Sequence, residues 1–250
     1  TGKEKPIVCI YTSAGGTSAM SKGQPFTQSI AYSNDRGRTW TKYGGNPVVG
    51  HIRGGNRDPK VIWNETTGQW VMVLYIEQNT MAFLTSKDLK NWERQSEIEC
   101  YHECPELFEL PVDGDKNNTK WILYGGSGDY LIGQFDGREF KSQTESIPFQ
   151  QGNCFYASQT FNNIPEEDGR RIQIAWGRVA MPGMPFNQQM LFPVELTLRT
   201  TDEGIRMFAE PVREIERIRG KKCAWKAETL QPGRNLFSDI EGELFHIIAE

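Results

Sequence analysis

Two short motifs hold the residues best able to do chemistry. Arg57-Asp58-Pro59 and Glu103-Cys104-Pro105 each bring an acid to the neighbourhood of a proline. A proline suits the first residue of a strand, where no ladder donor is needed. Two carboxylates in one cleft can divide the work of breaking a glycosidic bond, one held neutral as acid and one ionised. Arg57, adjacent to Asp58, favours the charged form of that aspartate. Glu103, between His102 and Cys104, has the less charged neighbours and is the better candidate for the acid.

Such a pair acts together only if the fold brings it together, and the chain carries a repeat that does so. Three strand-like runs start at Trp70, Trp121 and Ile172, each behind turn material: Thr66–Gln69, Asp115–Asn118 and Asp168–Arg170. A second series reads as hairpins begun by an aspartate and ended by an aromatic: Asp35 to Trp40, Asp88 to Trp92, and a weaker copy from Asp136 to Phe140. A third precedes the first: Asp58-Pro59-Lys60-Val61-Ile62-Trp63, Cys104-Pro105-Glu106-Leu107-Phe108-Glu109, and Phe155 to Phe161 one unit later. All three recur roughly every 50 residues, and about four short strands per unit is the pattern of a β-propeller blade. The runs are β-branched and aromatic, without the helical spacing an α-solenoid needs. In a propeller the first strand of each blade lines the central channel. The repeat therefore predicts Asp58 and Glu103 at similar depths on neighbouring inner strands. Gly125-Gly126-Ser127-Gly128 reads as a bend or bulge, since no helix follows to make a phosphate loop.

The tail changes character. Glu210–Arg219 is charged and predicts a short helix or an extended connector. Leu236–Ile240 and 243–248 read as strands. The expected division is residues 1–214 as one all-β domain and 215–250 as a linker and the beginning of a second β module.

Composition narrows the partners. Of 250 residues, 28 are Lys or Arg and 32 Asp or Glu, a net charge of −4 that argues against a nucleic-acid backbone as ligand. No basic block appears. Without a run of 18 apolar residues no transmembrane helix is expected. The three His are scattered, and the five Cys (Cys9, Cys100, Cys104, Cys154, Cys223) complete no zinc pattern, so no metal is expected and the thiols read as free or buried. Aromatics make up 11% of the chain, which is compatible with stacking on sugars.

The motifs resemble glycoside hydrolase family 32, the invertases, inulinases and levanases. The likeness is carried by Gly55-Asn56-Arg57-Asp58-Pro59-Lys60-Val61, Glu103-Cys104-Pro105-Glu106-Leu107-Phe108, and Phe155-Tyr156-Ala157-Ser158-Gln159-Thr160-Phe161. It is carried also by Ile174-Ala175-Trp176-Gly177-Arg178 and by the stretch from Phe186 to Leu196. The resemblance implies a five-bladed β-propeller, its first blade incomplete here, followed by a β-sandwich. It implies retaining hydrolysis of β-fructosides of the levan, inulin or sucrose type, without cofactor. By motif match Glu103 is the general acid/base and Asp58 the transition-state stabiliser. Arg57, Tyr156 and Trp176 line the fructosyl pocket, and Cys104 tunes or packs against Glu103. The implied partner is a fructose-containing oligo- or polysaccharide, and the substrate class implies a secreted or periplasmic location.

One departure matters. The nucleophile of the family lies in an Asn-Asp-Pro-Asn-Gly motif that these 250 residues do not contain. A segment upstream is expected to carry it, and the chain alone is expected to be inactive. Two readings stand beside hydrolysis: a non-catalytic carbohydrate-binding propeller, and fructosyl transfer by the same site. Ser33–Trp40 also matches the Asp-box of sialidases, a structural hairpin without catalytic residues.

Overall fold

The computed structural model describes residues 5–242 and 245–248. Its regular structure is almost all strand. β1 (Ile7–Ser13), β2 (Thr27–Ser33) and β3 (Thr41–Lys42) form a three-stranded antiparallel sheet. β4 (Arg57–Asn64), β5 (Gln69–Glu77), β6 (Thr80–Ser86) and β7 (Glu93–Glu99) form a four-stranded meander. β8 (Glu106–Val112), β9 (Asp115–Tyr124), β10 (Tyr130–Phe135) and β11 (Phe140–Ser142) form another. In the last, β12 (Phe155–Thr160) pairs with β13 (Arg171–Gly177), to which the short β14 (Gln189–Met190) adds. β15 (Val194–Thr201) and β16 (Gly204–Pro211) complete that meander. A parallel bridge between Leu198 and Val112 joins the last two meanders into one nine-stranded sheet.

The sheets pack face to face, and alternation along the strands decides which core each side chain enters. In β5, Val71 and Val73 point to a cluster shared with Leu107, Leu123 and Leu131 of the next meander. Their neighbours Met72, Leu74 and Ile76 point the other way, to Ile10 of β1 and to Val49, which bridges Gln28 of β2. β9 repeats the arrangement: Leu123 faces one core, while Ile122 and Tyr124 face the core shared with Leu196, Leu198 and Met207. A strand buried on both faces needs apolar side chains at consecutive positions, which is why Trp70–Tyr75 and Trp121–Tyr124 read as unbroken runs. This stacking of meanders is the arrangement of propeller blades.

The hairpin series is realised in detail. Asp35 accepts from Thr39 N at 2.8 Å. Asp88 accepts from Lys90 N and Asn91 N at 2.9 and 2.8 Å, and Asp136 from Arg138 N and Glu139 N at 2.8 Å each. The closing tryptophans donate back to the turn, Trp40 to Gly37 O and Trp92 to Leu89 O, both at 3.0 Å. One expected turn is displaced. Asp115–Asn118 belongs to β9, and the reversal is made by Asp113 and Gly114, which both have positive φ as a two-residue hairpin requires. In the tail, Arg213–Ile218 is a short 3-10 helix. Leu236–Ile240 is not the expected strand: Asn235 Oδ1 accepts from Phe237 N at 3.0 Å and folds it into turns, with no strand among the described residues alongside to satisfy an extended backbone. Of the 243–248 expectation, Glu243 and Leu244 lie outside the described residues, and 245–248 have no strand.

Candidate active site

β4, β8 and β12, each the first strand of its meander, come together at their N-terminal ends. In β4 the pairing with β5 slips between Arg57 and Lys60, and in β12 the pairing with β13 slips between Tyr156 and Gln159. Each slip holds a non-glycine residue in the left-handed region, Asp58 at φ 59° and Ala157 at φ 48°. Glu103 and Cys104, just before β8, do the same at φ 53° and 43°. A bulge re-aims the side chains around it, so neighbours in sequence turn toward different partners.

Those partners lie on the adjacent meander. Arg57 Nη2 of β4 bonds Glu103 Oε1, and Tyr156 Oη of β12 donates to Glu103 Oε2 at 2.6 Å. Asp58 Oδ2 accepts from Cys104 N at 3.1 Å and lies 3.7 Å from Cys104 Sγ. Arg57 Nε stands 3.8 Å from Asp58 Oδ2, so one guanidinium serves both acids. Its carbon sits 4.4 Å above the Tyr75 ring. His102 Nε2 is 3.6 Å from Glu103 Oε2, and its Nδ1 is 2.9 Å from Gln78 O and 3.0 Å from Tyr75 Oη. Trp176 of β13 packs edge-on against Tyr156 with ring centroids 6.3 Å apart, and the Arg178 guanidinium carbon lies 4.4 Å from the Tyr156 ring centroid. All six sequence-predicted residues, Arg57, Asp58, Glu103, Cys104, Tyr156 and Trp176, thus form one continuous set of contacts.

Two details differ from expectation. The acids do not occupy equivalent positions: with Pro59 aligned on Pro105, Arg57 matches Glu103 and Asp58 matches Cys104, and these matched pairs are the ones in contact. Glu103 also lacks the less charged surroundings. Burial alone would raise its carboxyl, but the bonds from Tyr156 and Arg57, with the charges of Arg57 and His102, hold it below the usual glutamate value. Cys104 faces Asp58 more closely than Glu103. Burial, then the negative charges of Asp58 and Glu103, push its thiol up to about 12, so it stays protonated.

Sequence reasoning missed the residues that hold this set. Thr12 Oγ1 of β1 accepts from Asp58 N at 3.0 Å and donates to Gln28 Oε1 at 2.8 Å, while Gln28 Nε2 donates to Asn56 O at 2.9 Å. Gln28 and Asn56 are fully buried. Gly126 N donates to His102 O and Glu103 O at 3.1 and 3.0 Å, and Gly126 O accepts from Ala157 N at 2.8 Å. A Cβ at Gly126 would fall 2.9 Å from Tyr156 Cζ. The expected bend is there, but its use is to let Tyr156 lie against bare backbone. Among the described residues, no three His, Cys, Asp or Glu side chains cluster as a metal site, and no helix is long and apolar enough to cross a membrane.

Comparison with known proteins places this geometry. The profile described as glycosyl hydrolases family 32 N-terminal domain matches residues 1–211. The chain is 40% identical to a levanase of Bacillus subtilis over all of its own length and 40% of the levanase. It is 32% identical to an invertase of Wickerhamomyces anomalus over 92% of its length and 46% of the invertase. Among solved structures, the exo-inulinase of Aspergillus awamori superposes with a TM-score of 0.73 at 28% identity, covering 84% of this chain and 49% of that one. A β-fructofuranosidase of Schwanniomyces occidentalis complexed with fructosyl-erythritol gives 0.71 at 30% identity, covering 82% and 43%. The chain spans less than half the length of each of these relatives. With the motif-bearing bulges, the stacked meanders and the profile match in agreement, the chain belongs to glycosyl hydrolase family 32.

Proposed function

We propose that this chain is the site-bearing part of a glycosidase that acts on β-fructosides of the levan, inulin or sucrose type by a retaining, two-carboxylate mechanism. The observation that carries the reading is the contact set of Arg57, Glu103 and Tyr156 across three strands, with Asp58 held beside it by Cys104. Glu103 is the general acid/base. Asp58 binds sugar hydroxyls and stabilises the transition state, and Arg57, Cys104, Tyr156 and Trp176 line the pocket. Arg57 and Tyr156 keep Glu103 ionised. A fructosyl unit whose hydroxyls engage Arg57 draws that cation off Glu103 and excludes water, and both changes raise the Glu103 carboxyl toward the protonated form an acid needs.

The retaining route also needs a nucleophilic carboxylate about 5–5.5 Å from the acid. Asp58 is not that group by motif. Among the described residues β1 pairs with β2 alone, and its Thr12 touches Asp58 N. A further strand on β1 would bring a second carboxylate to the same place, and it would complete the first of five blades. Residues 1–214 are the propeller part and 215–250 lead toward a β-sandwich, a division supported by the family match ending at 211. Without the nucleophile the chain binds fructosides and does not cleave them. Secretion or a periplasmic location is supported by the substrate class and by relatives named extracellular exo-inulinase.

The test is expression of the full-length gene product with levan, inulin and sucrose as substrates. Fructose release is expected, as is a loss of orders of magnitude in Glu103→Gln, because the leaving group loses its proton donor. Unchanged turnover of Glu103→Gln on all three substrates would refute the assignment.

A further inference from the structure

Directly after the two prolines come Lys60 and Glu106. They are buried, Glu106 completely, and they belong to none of the contacts described above. Lys60 Nζ lies 2.9 Å from Glu106 Oε1, joining β4 to β8. Lys60 Nζ also donates to Thr160 O at 2.7 Å and to Thr160 Oγ1 at 3.3 Å, and Thr160 Oγ1 donates to Glu106 Oε2 at 2.6 Å, joining both strands to β12. Each member sits a few residues along its strand from a site group: Lys60 from Asp58, Glu106 from Glu103, Thr160 from Tyr156. A buried ion pair replaced by apolar groups often leaves stability unchanged or higher, so stability alone does not account for one here. What it supplies is a fixed distance. Three strands of three different meanders share few backbone bonds, and the Lys60–Glu106–Thr160 cluster ties them where the site begins.

We infer that Lys60, Glu106 and Thr160 are positioning residues, whose tie sets the spacing at which Arg57 meets Glu103 and Cys104 meets Asp58. The inference rests on the reading of those four residues as a site, but its consequences are visible without turnover. Glu103 is faced by Arg57, His102 and Tyr156, and Cys104 by Asp58 first, then by Glu103 and Arg57. If the strands drift apart, Glu103 loses its cation and Cys104 loses its neighbouring carboxylate.

The experiment uses the Lys60→Met/Glu106→Leu double variant, which removes both charges of the pair together and leaves Arg171 without the Glu106 carboxylate, with thermal unfolding as the check on folding. Two readouts follow: the Glu103 titration by carboxyl 13C NMR, and the alkylation rate of Cys104 by iodoacetamide, resolved from the other cysteines by peptide mass spectrometry. We expect the Glu103 midpoint to rise by about one unit and Cys104 alkylation at pH 8.5 to quicken about tenfold, as one unit of thiol pKa gives. Thr160→Val, which removes one hydroxyl and no charge, is expected to move both the same way by less, and serves if the double variant does not fold. A folded variant with both readouts unchanged overturns the inference. Changed readouts together with failure of the full-length protein to release fructose would overturn the fructosidase reading and leave the tie standing.

Discussion

Tyr156→Phe removes one hydrogen bond and little else. The hydroxyl donates to Glu103 Oε2 at 2.6 Å, whereas the ring is kept in place by Trp176, Arg178 and the bare backbone of Gly126. A hydrogen bond to a charged acceptor contributes about 1.5–3 kcal/mol net. The Glu103 side chain is 24% exposed, so water compensates in part and the lower end, about 1.5 kcal/mol, applies. One pKa unit is about 1.4 kcal/mol, which predicts a rise of about one unit in the Glu103 midpoint while Arg57 remains. The sign for stability follows from the same bond. The Glu103 carboxyl is lowered in the folded protein, so it stabilises above the unfolded glutamate value and loses that contribution as pH falls through the folded value. Tyr156→Phe is therefore expected to lose stability at pH 7 and almost none once Glu103 is protonated in the folded protein, flattening the acid limb of urea stability against pH. Carboxyl 13C titration of the variant measures the midpoint directly. A midpoint that stays where it was, in a folded Tyr156→Phe protein, would show that the hydroxyl does not serve the charged form of Glu103.

Other consequences can be checked alongside. Gly126→Ala puts a methyl 2.9–3.1 Å from three atoms of the Tyr156 phenol, which must tilt away from Glu103. The expected result is an overpacking cost of about 1–3 kcal/mol in urea unfolding together with a raised Glu103 midpoint. Asp58→Asn takes a negative charge from beside Cys104, and alkylation of that thiol at pH 9 is expected to speed up, while the exposed Cys223 keeps its rate. Asp35 is lowered to about 2 by its bonds from Thr39 and Ser33, and Asp88 is lowered by Asn91 and Lys90. Both stabilise above the ordinary aspartate range and lose that contribution as pH falls through their lowered folded values, so Asp35→Asn and Asp88→Asn should each soften the acid-unfolding transition followed by circular dichroism.

The blades were legible because each one restates the same problem. A strand buried on both faces must be apolar at every position, as Val71 to Ile76 are, and a hairpin between such strands needs a side chain that caps its own turn, as Asp35, Asp88 and Asp136 do. Both demands leave marks at a fixed period. The tail left similar marks at Leu236–Ile240 without the result, since a strand pattern is only half a strand until another edge accepts it. The six residues of the candidate site were named by their motifs, whereas which of them face each other was not legible. Who faces whom depends on backbone turned to positive φ at Asp58, Glu103, Cys104 and Ala157, and no glycine marks those positions.

That same strain explains why the polar cluster lies where it does. A non-glycine residue held in the left-handed region costs roughly 1–3 kcal/mol and persists only when its surroundings over-determine it. Four such residues fall within the three strand starts that carry Arg57, Glu103 and Tyr156. Thr12 bonds the strained Asp58 N, and Gly126 binds Glu103 O on one side and Ala157 N on the other. Beneath all of them the Lys60–Glu106–Thr160 contacts fix the strands that must bear the strain. An apolar core cannot meet this demand, because packing tolerates small slides along a strand, whereas an ion pair bonded on both sides has one geometry. The buried charges and the strained turns are thus two parts of one device, which holds two carboxylates and one guanidinium in contact before any ligand arrives.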